Sequence, residues 1–217
     1  MKEIYNNTRT DLASNKDIKN NITKFDSETI KVLESNNESS LFHTIIYKNI
    51  YNENLIKEFL KNELKLFLKR FKITKNNHIF IIGLGNESNT ADSIGPKVLK
   101  YIIVNSHLYS MFNEMKYPKI SALEPGVLGT TGIDTFKIIK SVSNQIKPDL
   151  IILIDSFVTN KLSYLNKSIE INDLGITPGS GIHGNNTEIK KETIKVPVLV
   201  IGIPTALEFK KNNEVPL

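Results

Sequence analysis

The hydrophobic positions of the chain change texture near residue 78. Before it, between Asn52 and Phe71, residues Leu55, Ile56, Phe59, Leu60, Leu64, Phe67, Leu68 and Phe71 recur at intervals of three and four. That spacing predicts an amphipathic helix capped by Asn52, with its apolar stripe packed on a sheet rather than on a membrane. From residue 78 onward, short and nearly continuous apolar runs take over. They are HIFIIGLG (His78–Gly85), DLIILID (Asp149–Asp155), VPVLVIG (Val196–Gly202) and the weaker KISAL (Lys119–Leu123). Runs of this length suit strands covered on both faces, as in a parallel sheet. Helical spacing lies between them. Ser93–Asn105 carries Ile94, Val98, Tyr101 and Ile102, and Ile133–Ile146 carries Phe136, Ile138, Ile139, Val142 and Ile146. The alternation predicts an α/β sandwich with a mostly parallel central sheet. Residues 1–40 are rich in Asn, Ser and Lys and read as a polar arm of irregular structure. Residues 41–217 read as one α/β domain without internal repeats.

Composition narrows the functional classes. The 217 residues are 40% hydrophobic and 24% charged, as in an ordinary globular protein, which excludes a collagen, a coiled-coil rod and a wholly disordered chain. No apolar run approaches the ~18 residues of a membrane span. The opening MKEIYNNTRTDLASNKD has no apolar centre, so it is not expected to act as a secretory signal. Cysteine is absent, which excludes disulfides, a thiolate nucleophile and cysteine-ligated metal, and fits a reducing interior. The net charge is +5, but the lysines are spread along the chain and tryptophan is absent. A solvated cationic surface explains this better than direct nucleic-acid binding.

Ligands in such sheets gather beyond the carboxyl ends of the strands. Three segments leave at that edge: GLGNESNTADSIGP (Gly83–Pro96), LEPGVLGTTGID (Leu123–Asp134) and IDSF (Ile154–Phe157). The glycines at 83 and 85 open like a dinucleotide fingerprint, but Ser88 replaces the third glycine and Asn105 the later acid. The sequence has neither a P-loop around Gly95–Pro96–Lys97 nor a nucleophile elbow around Gly179–Ser180–Gly181. Asp92, after the first strong strand, and Asp155, at the end of the second, are the better candidates. Two carboxylates brought together divide their protons, one holding a proton while the other polarises water; the same pair can also hold a divalent metal. The plainer readings are an N-cap on the helix near Ser93 for Asp92 and a strand-end carboxylate bonded to loop amides for Asp155. Glu124 is a candidate third acid, with a solvated loop residue as its plainer reading. Asp134 reads as a helix-start acid and Asp173 as a turn acid. His183, in TPGSGIHGNN (Thr177–Asn186), is the histidine best placed for function, whereas His43, His78 and His107 show no ligand spacing.

Read in order, six blocks resemble the germination protease family. They are RTDLA (Arg9–Ala13), GLGNESNTADSIGP (Gly83–Pro96), EPGVLGTTGIDT (Glu124–Thr135), KPDLIILIDSF (Lys147–Phe157), INDLGITPGSGI (Ile171–Ile182) and VPVLVIGIPT (Val196–Thr205). The resemblance implies an endopeptidase that degrades the small acid-soluble proteins of dormant spores when germination begins. It implies a zymogen that loses a short N-terminal peptide by autoprocessing and a homo-oligomer, known in the family as a tetramer. It further implies a cytoplasmic location in the forespore and spore core. The fold implied is the three-layer α/β/α sandwich of the hydrogenase maturation proteases. The family's proposed catalytic pair of aspartates matches Asp92, in TADSIGP, and Asp155, in LIDSF. Two features depart from the family pattern. Its members are typically longer, with a helical region after the block matching IGIPT, so a short or truncated member is expected. TADSI and Leu174 are mild substitutions in the motifs.

The resulting expectation is a water-activating Asp92/Asp155 pair that needs no cofactor. Backbone amides of the Gly126–Gly132 loop would steady the oxyanion, with Gly126, Gly129, Thr130, Thr131 and Gly132 shaping it. The metal alternative uses Asp92, Asp155 and His183 as ligands. A catalytically weak spore-protein-binding variant is a third reading. Glu3–Ile4 is the expected processing site, because the family cuts after Glu and before a bulky apolar residue.

Overall fold

The computed structural model describes residues 21–36, 40–48, 53–109, 111, 116–179 and 187–207. Among them are eight strands: β1 (Asn21–Asp26), β2 (Ile30–Asn36), β3 (Leu41–Tyr47), β4 (His78–Gly83), β5 (Lys119–Leu123), β6 (Leu150–Thr159), β7 (Ser168–Asn172) and β8 (Val198–Leu207). The helices are α1 (Glu53–Arg70), α2 (Ile94–Leu99), α3 (Leu128–Thr131), α4 (Thr135–Ile146) and α5 (Lys191–Ile194). The strands form one sheet in the order β1-β2-β3-β7-β8-β6-β4-β5.

The three strong apolar runs became its parallel centre. β4 lies parallel between β5 and β6, and β6 is parallel to β8. The other four pairings, from β8 through β7, β3 and β2 to β1, are antiparallel. The sheet is therefore mixed, not mostly parallel as the apolar runs suggested. The difference comes from the N-terminal region. Residues 21–36, expected to be part of an irregular arm, form a hairpin whose Ile30 and Val32 are buried. Residues 1–20 lie outside the described residues.

Both faces of the sheet are covered. Residues paired across a sheet point to the same side, and successive residues alternate. Phe80, Ile82, Ile151, Leu153, Val198 and Val200 pack with Ile139 of α4 on one face. Ile45, Leu150, Ile169, Ile171 and Leu199 pack around Phe67 of α1 on the other, and Ile79, Ile81 and Ile154 meet Ile94, Val98 and Leu99 of α2 on that same side. The parallel half is thus sandwiched between helices. Full burial of Phe67 contributes about 2–3 kcal/mol.

Helix boundaries follow local chemistry. α1 matches the expected helix to within a residue, and Asn52, its expected cap, lies outside the described residues. α4 begins after Asp134, whose Oδ1 accepts the Phe136 amide at 2.8 Å. α2 stops at Leu99, short of the expected Asn105. The chain leaves the helix to dock on β5: the Asn105 amide donates to the Ile120 carbonyl at 3.1 Å, and Asn105 Oδ1 accepts the Ile120 amide at 2.6 Å. β6 runs on to Thr159, so Asp155 does not end the strand. It stands where β6 has left β4, whose last pairing is Gly83 with Ile154.

Candidate active site

The loop after β4 is held by backbone contacts that leave no room for side chains. The Leu84 amide donates to the Ile154 carbonyl at 2.8 Å, extending the β4–β6 join by one residue. Gly85 follows at φ +114°, a conformation that disfavours any residue with a side chain. A Cβ there would stand 2.0 Å from the Asp92 carbonyl oxygen and 2.9 Å from its Oδ1. A Cβ at Gly95 would stand 2.2 Å from the Leu84 carbonyl oxygen and 2.5 Å from that of Ile154. These two glycines let the start of α2 sit directly on the ends of β4 and β6.

Asp92 closes a one-turn 3-10 helix, Thr90–Asp92, just ahead of α2. Its carbonyl accepts the Asn86 amide and its amide donates to the Asn89 carbonyl, each at 2.9 Å. The N-cap position of α2 belongs to Ser93, not to Asp92. The turn packs against β6 and β8, and Thr205 Oγ1 donates to the Ala91 carbonyl at 2.5 Å. Asp155 is the residue after Ile154, on the α4 face between Leu153 and Phe157. It is 5% exposed, and its Oδ1 accepts the Ser156 amide at 2.8 Å. The structure thus brings Asp92 and Asp155 to one carboxyl edge of the sheet. Asp92 is half-buried there and Asp155 is buried.

The glycine-rich loop after β5 leaves at the same edge. Its amides are not equally available. Those of Thr130 and Thr131 donate to the Val127 carbonyl, each at 3.0 Å, and that of Gly132 donates to the Leu128 carbonyl at 2.8 Å. The hydroxyls of Thr130 and Thr131 also bond to the Val127 carbonyl, at 3.0 and 3.1 Å. Thr130, Thr131 and Gly132 therefore build the turn instead of offering donors. The amides of Leu128 and Gly129, at the first two positions of α3, make no bond among the described residues. Gly126 adopts φ +72° at the bend before them.

Of the remaining candidates, Asp173 and His78 have structural tasks. Glu124 is exposed at the end of β5. Asp173 does more than cap a turn: its Oδ1 accepts the Leu41 amide at 2.7 Å, and its Oδ2 meets Arg70 Nε at 3.1 Å. His78 Nδ1 donates to the Ile146 carbonyl at 3.2 Å, so Nε2 is the acceptor for Ser121 Oγ at 2.7 Å. Burial first, then the nearby Lys119 charge, holds its pKa below the ordinary value. His183, Glu3 and Ile4 lie outside the described residues. Among the described residues no three His, Asp or Glu side chains gather as a metal site would require.

Two buried acids escaped the reading of the sequence, Glu63 on α1 and Glu170 on β7. Glu63 bonds to the fully buried His43 and meets Lys24 Nζ at 3.4 Å. On the other side of His43, Nε2 lies 3.2 Å from Glu34 Oε2 without the alignment of a hydrogen bond. A periodicity rule places Glu63 on the rim of the α1 stripe, and nothing nearby in sequence shows its histidine partner.

A β–loop–α join closed by glycines, with two aspartates at one edge of a mixed sheet, defines an α/β fold with acids where β6 parts from β4. A family model for germination proteases matches residues 8–211. The chain is 33% identical over 206 residues to the germination protease of Oceanobacillus iheyensis, covering 89% of this chain and 54% of that protein. It is 38% identical over 165 residues to that of Clostridium tetani, covering 75% and 50%. Against that of Caldanaerobacter subterraneus subsp. tengcongensis it is 40% identical over 141 residues, covering 63% and 43%. The chain belongs to the germination protease family, and it spans about half the length of these curated relatives.

Proposed function

We propose that the chain is an endopeptidase that cuts small acid-soluble spore proteins during germination, using Asp92 and Asp155 to activate water. The observation that carries the reading is the glycine-locked approach of the Asp92 turn to β6 where that strand bears Asp155. Close carboxylates do not readily both ionise, so one acid of the pair holds a proton. The ionised acid takes a proton from water as it attacks the scissile carbonyl. The protonated acid donates to the carbonyl oxygen and then helps the amine leave. The amides of Leu128 and Gly129 are the loop donors suited to the developing oxyanion.

The same reading places the enzyme in the forespore and spore core as a homo-oligomer, with an N-terminal cut at Glu3–Ile4. Family membership supports the peptidase class, and the free α3 amides support the oxyanion role. The test is incubation of the purified chain with a small acid-soluble spore protein. Discrete fragments, formed equally with and without a chelator, are the expected result. Loss of cleavage on chelation, restored by one metal, would replace the acid pair with a metal-assisted site. An intact substrate bound to the chain would reduce the function to docking.

A further inference from the structure

Across the sheet, Asp155 of β6 pairs with Gly202 of β8, and Gly202 pairs with Glu170 of β7. Paired residues share a face. Ile169 and Ile171 point into the α1-side core, so Glu170 points to the α4 side, where Asp155 stands between Leu153 and Phe157. Gly202 puts no side chain between them. The two backbone positions are two strand spacings apart, roughly 10 Å.

Glu170 is only 7% exposed, and the one charged group among the described residues that acts on its carboxyl is Lys161. Opposite it on β3 is Thr44, which does not titrate, and His43 faces the other side of the sheet with its own carboxylates. Lys161 is the cation that acts on Glu170. Burial outweighs it and pushes the carboxyl up to about 8. Two residues further along the same face, Asn172 is wholly buried with its Nδ2 unbonded. A structural carboxylate this deep is ordinarily paired. Glu170 has no such partner among the described residues, and it shares its face with Asp155.

We propose that Glu170 is a positioning residue of the peptidase centre, sharing the Asp155 face across Gly202 and setting how much negative charge that face carries. The proposal rests on the reading of Asp155 as one of the acid pair. While Glu170 keeps its proton, it adds a hydrogen-bond donor and no charge. When it ionises, a second negative charge faces Asp155, raises its proton affinity and disturbs the division of protons in the pair. At this separation the effect is about tenfold in rate.

The test is the pH profile of cleavage of a small acid-soluble spore protein by wild type and Glu170→Gln, which keeps the shape of the protonated form. In wild type, kcat/KM should fall about tenfold from pH 7 to pH 9.5. In Glu170→Gln the ratio of the two rates should lose most of that fall. An alkaline limb unchanged in Glu170→Gln overturns the proposal. If no variant cleaves at any pH, it is the peptidase reading that fails, and the charge coupling is read without activity. Carbon-13 NMR of glutamate-labelled wild type and Asp155→Asn follows the Glu170 carboxyl, assigned by its loss in Glu170→Gln. Its titration midpoint should drop by about half a pH unit or more in Asp155→Asn. An unchanged midpoint overturns the proposal on its own.

Discussion

Two buried glutamates on opposite faces of one sheet have opposite fates. Glu63, beneath the β1–β3 side, is surrounded by His43, Lys24 and, beyond the imidazole, Glu34. Burial alone would raise its carboxyl. The bond to His43 and the charges of His43 and Lys24 outweigh burial and hold it below the ordinary 4.5. Glu170 is as little exposed but sits in a deeper setting; among the described residues it lacks such partners, and burial pushes it up to about 8. Low exposure alone therefore does not decide whether a carboxyl is ionised; how deep it sits and which charges surround it decide together. A partnered acid ties elements together, whereas an unpartnered one keeps a titration near neutrality.

The largest expected effect comes from breaking the partnered side. Glu63→Ala leaves His43 and Lys24 with Glu34 as their remaining carboxylate and should cost about 3 kcal/mol in denaturant unfolding at neutral pH. A cost under ~1 kcal/mol would mean that the cluster is ornamental to the fold. Because the folded pKa of Glu63 is depressed, its stabilisation is present above about 4.5 and is lost as the pH falls through its lower folded value. Wild type should therefore lose more stability than Glu63→Gln on acidification below pH 4.5.

Glu170 predicts the reverse dependence. Its folded pKa lies above the unfolded one, so the native state holds a proton that the unfolded chain gives up between about 4.5 and 8. Across that window wild type loses stability as the pH rises, and above it the loss levels off. Glu170→Gln should be near wild type at pH 4 and more stable by a few kcal/mol at pH 8.5. Parallel melting-temperature profiles for the two proteins would remove Glu170 from the comparison. The smallest effect is expected at the rim. Arg70→Ala removes the half-exposed partner of Asp173 and should cost about 0.5–1 kcal/mol, because Asp173 keeps the Leu41 amide.

The same contrast explains what the sequence made legible. β4, β6 and the start of β8 are covered on both faces by apolar neighbours, so their runs stand out. The spacing of α1 and α4 was equally plain. β7 was hidden because SIEIN alternates like a half-solvated strand, yet all five residues are buried. Glu170 and Asn172 belong to the polar interior, not to a solvent face. β2 and β3 were missed for a similar reason: Lys31, Glu34 and His43 break the apolar pattern, and their partners come from α1 and β1. The positions of Asp92 and Asp155 stood out because glycines mark the turn around one and an apolar run precedes the other, although β6 runs on past Asp155. The spent amides of Thr130, Thr131 and Gly132 could not be read, since the loop's own threonines and carbonyls compete for the same donors.

The central claim is that Asp92 and Asp155 act together on water at one strand edge. Its most direct test is the rate at which Asp92→Asn and Asp155→Asn cleave a small acid-soluble spore protein, with melting curves recorded alongside. The account predicts at least a ~100-fold loss in each variant with near-native melting. Either variant retaining more than about a tenth of the wild-type rate, a barrier change under ~1.4 kcal/mol, would contradict it.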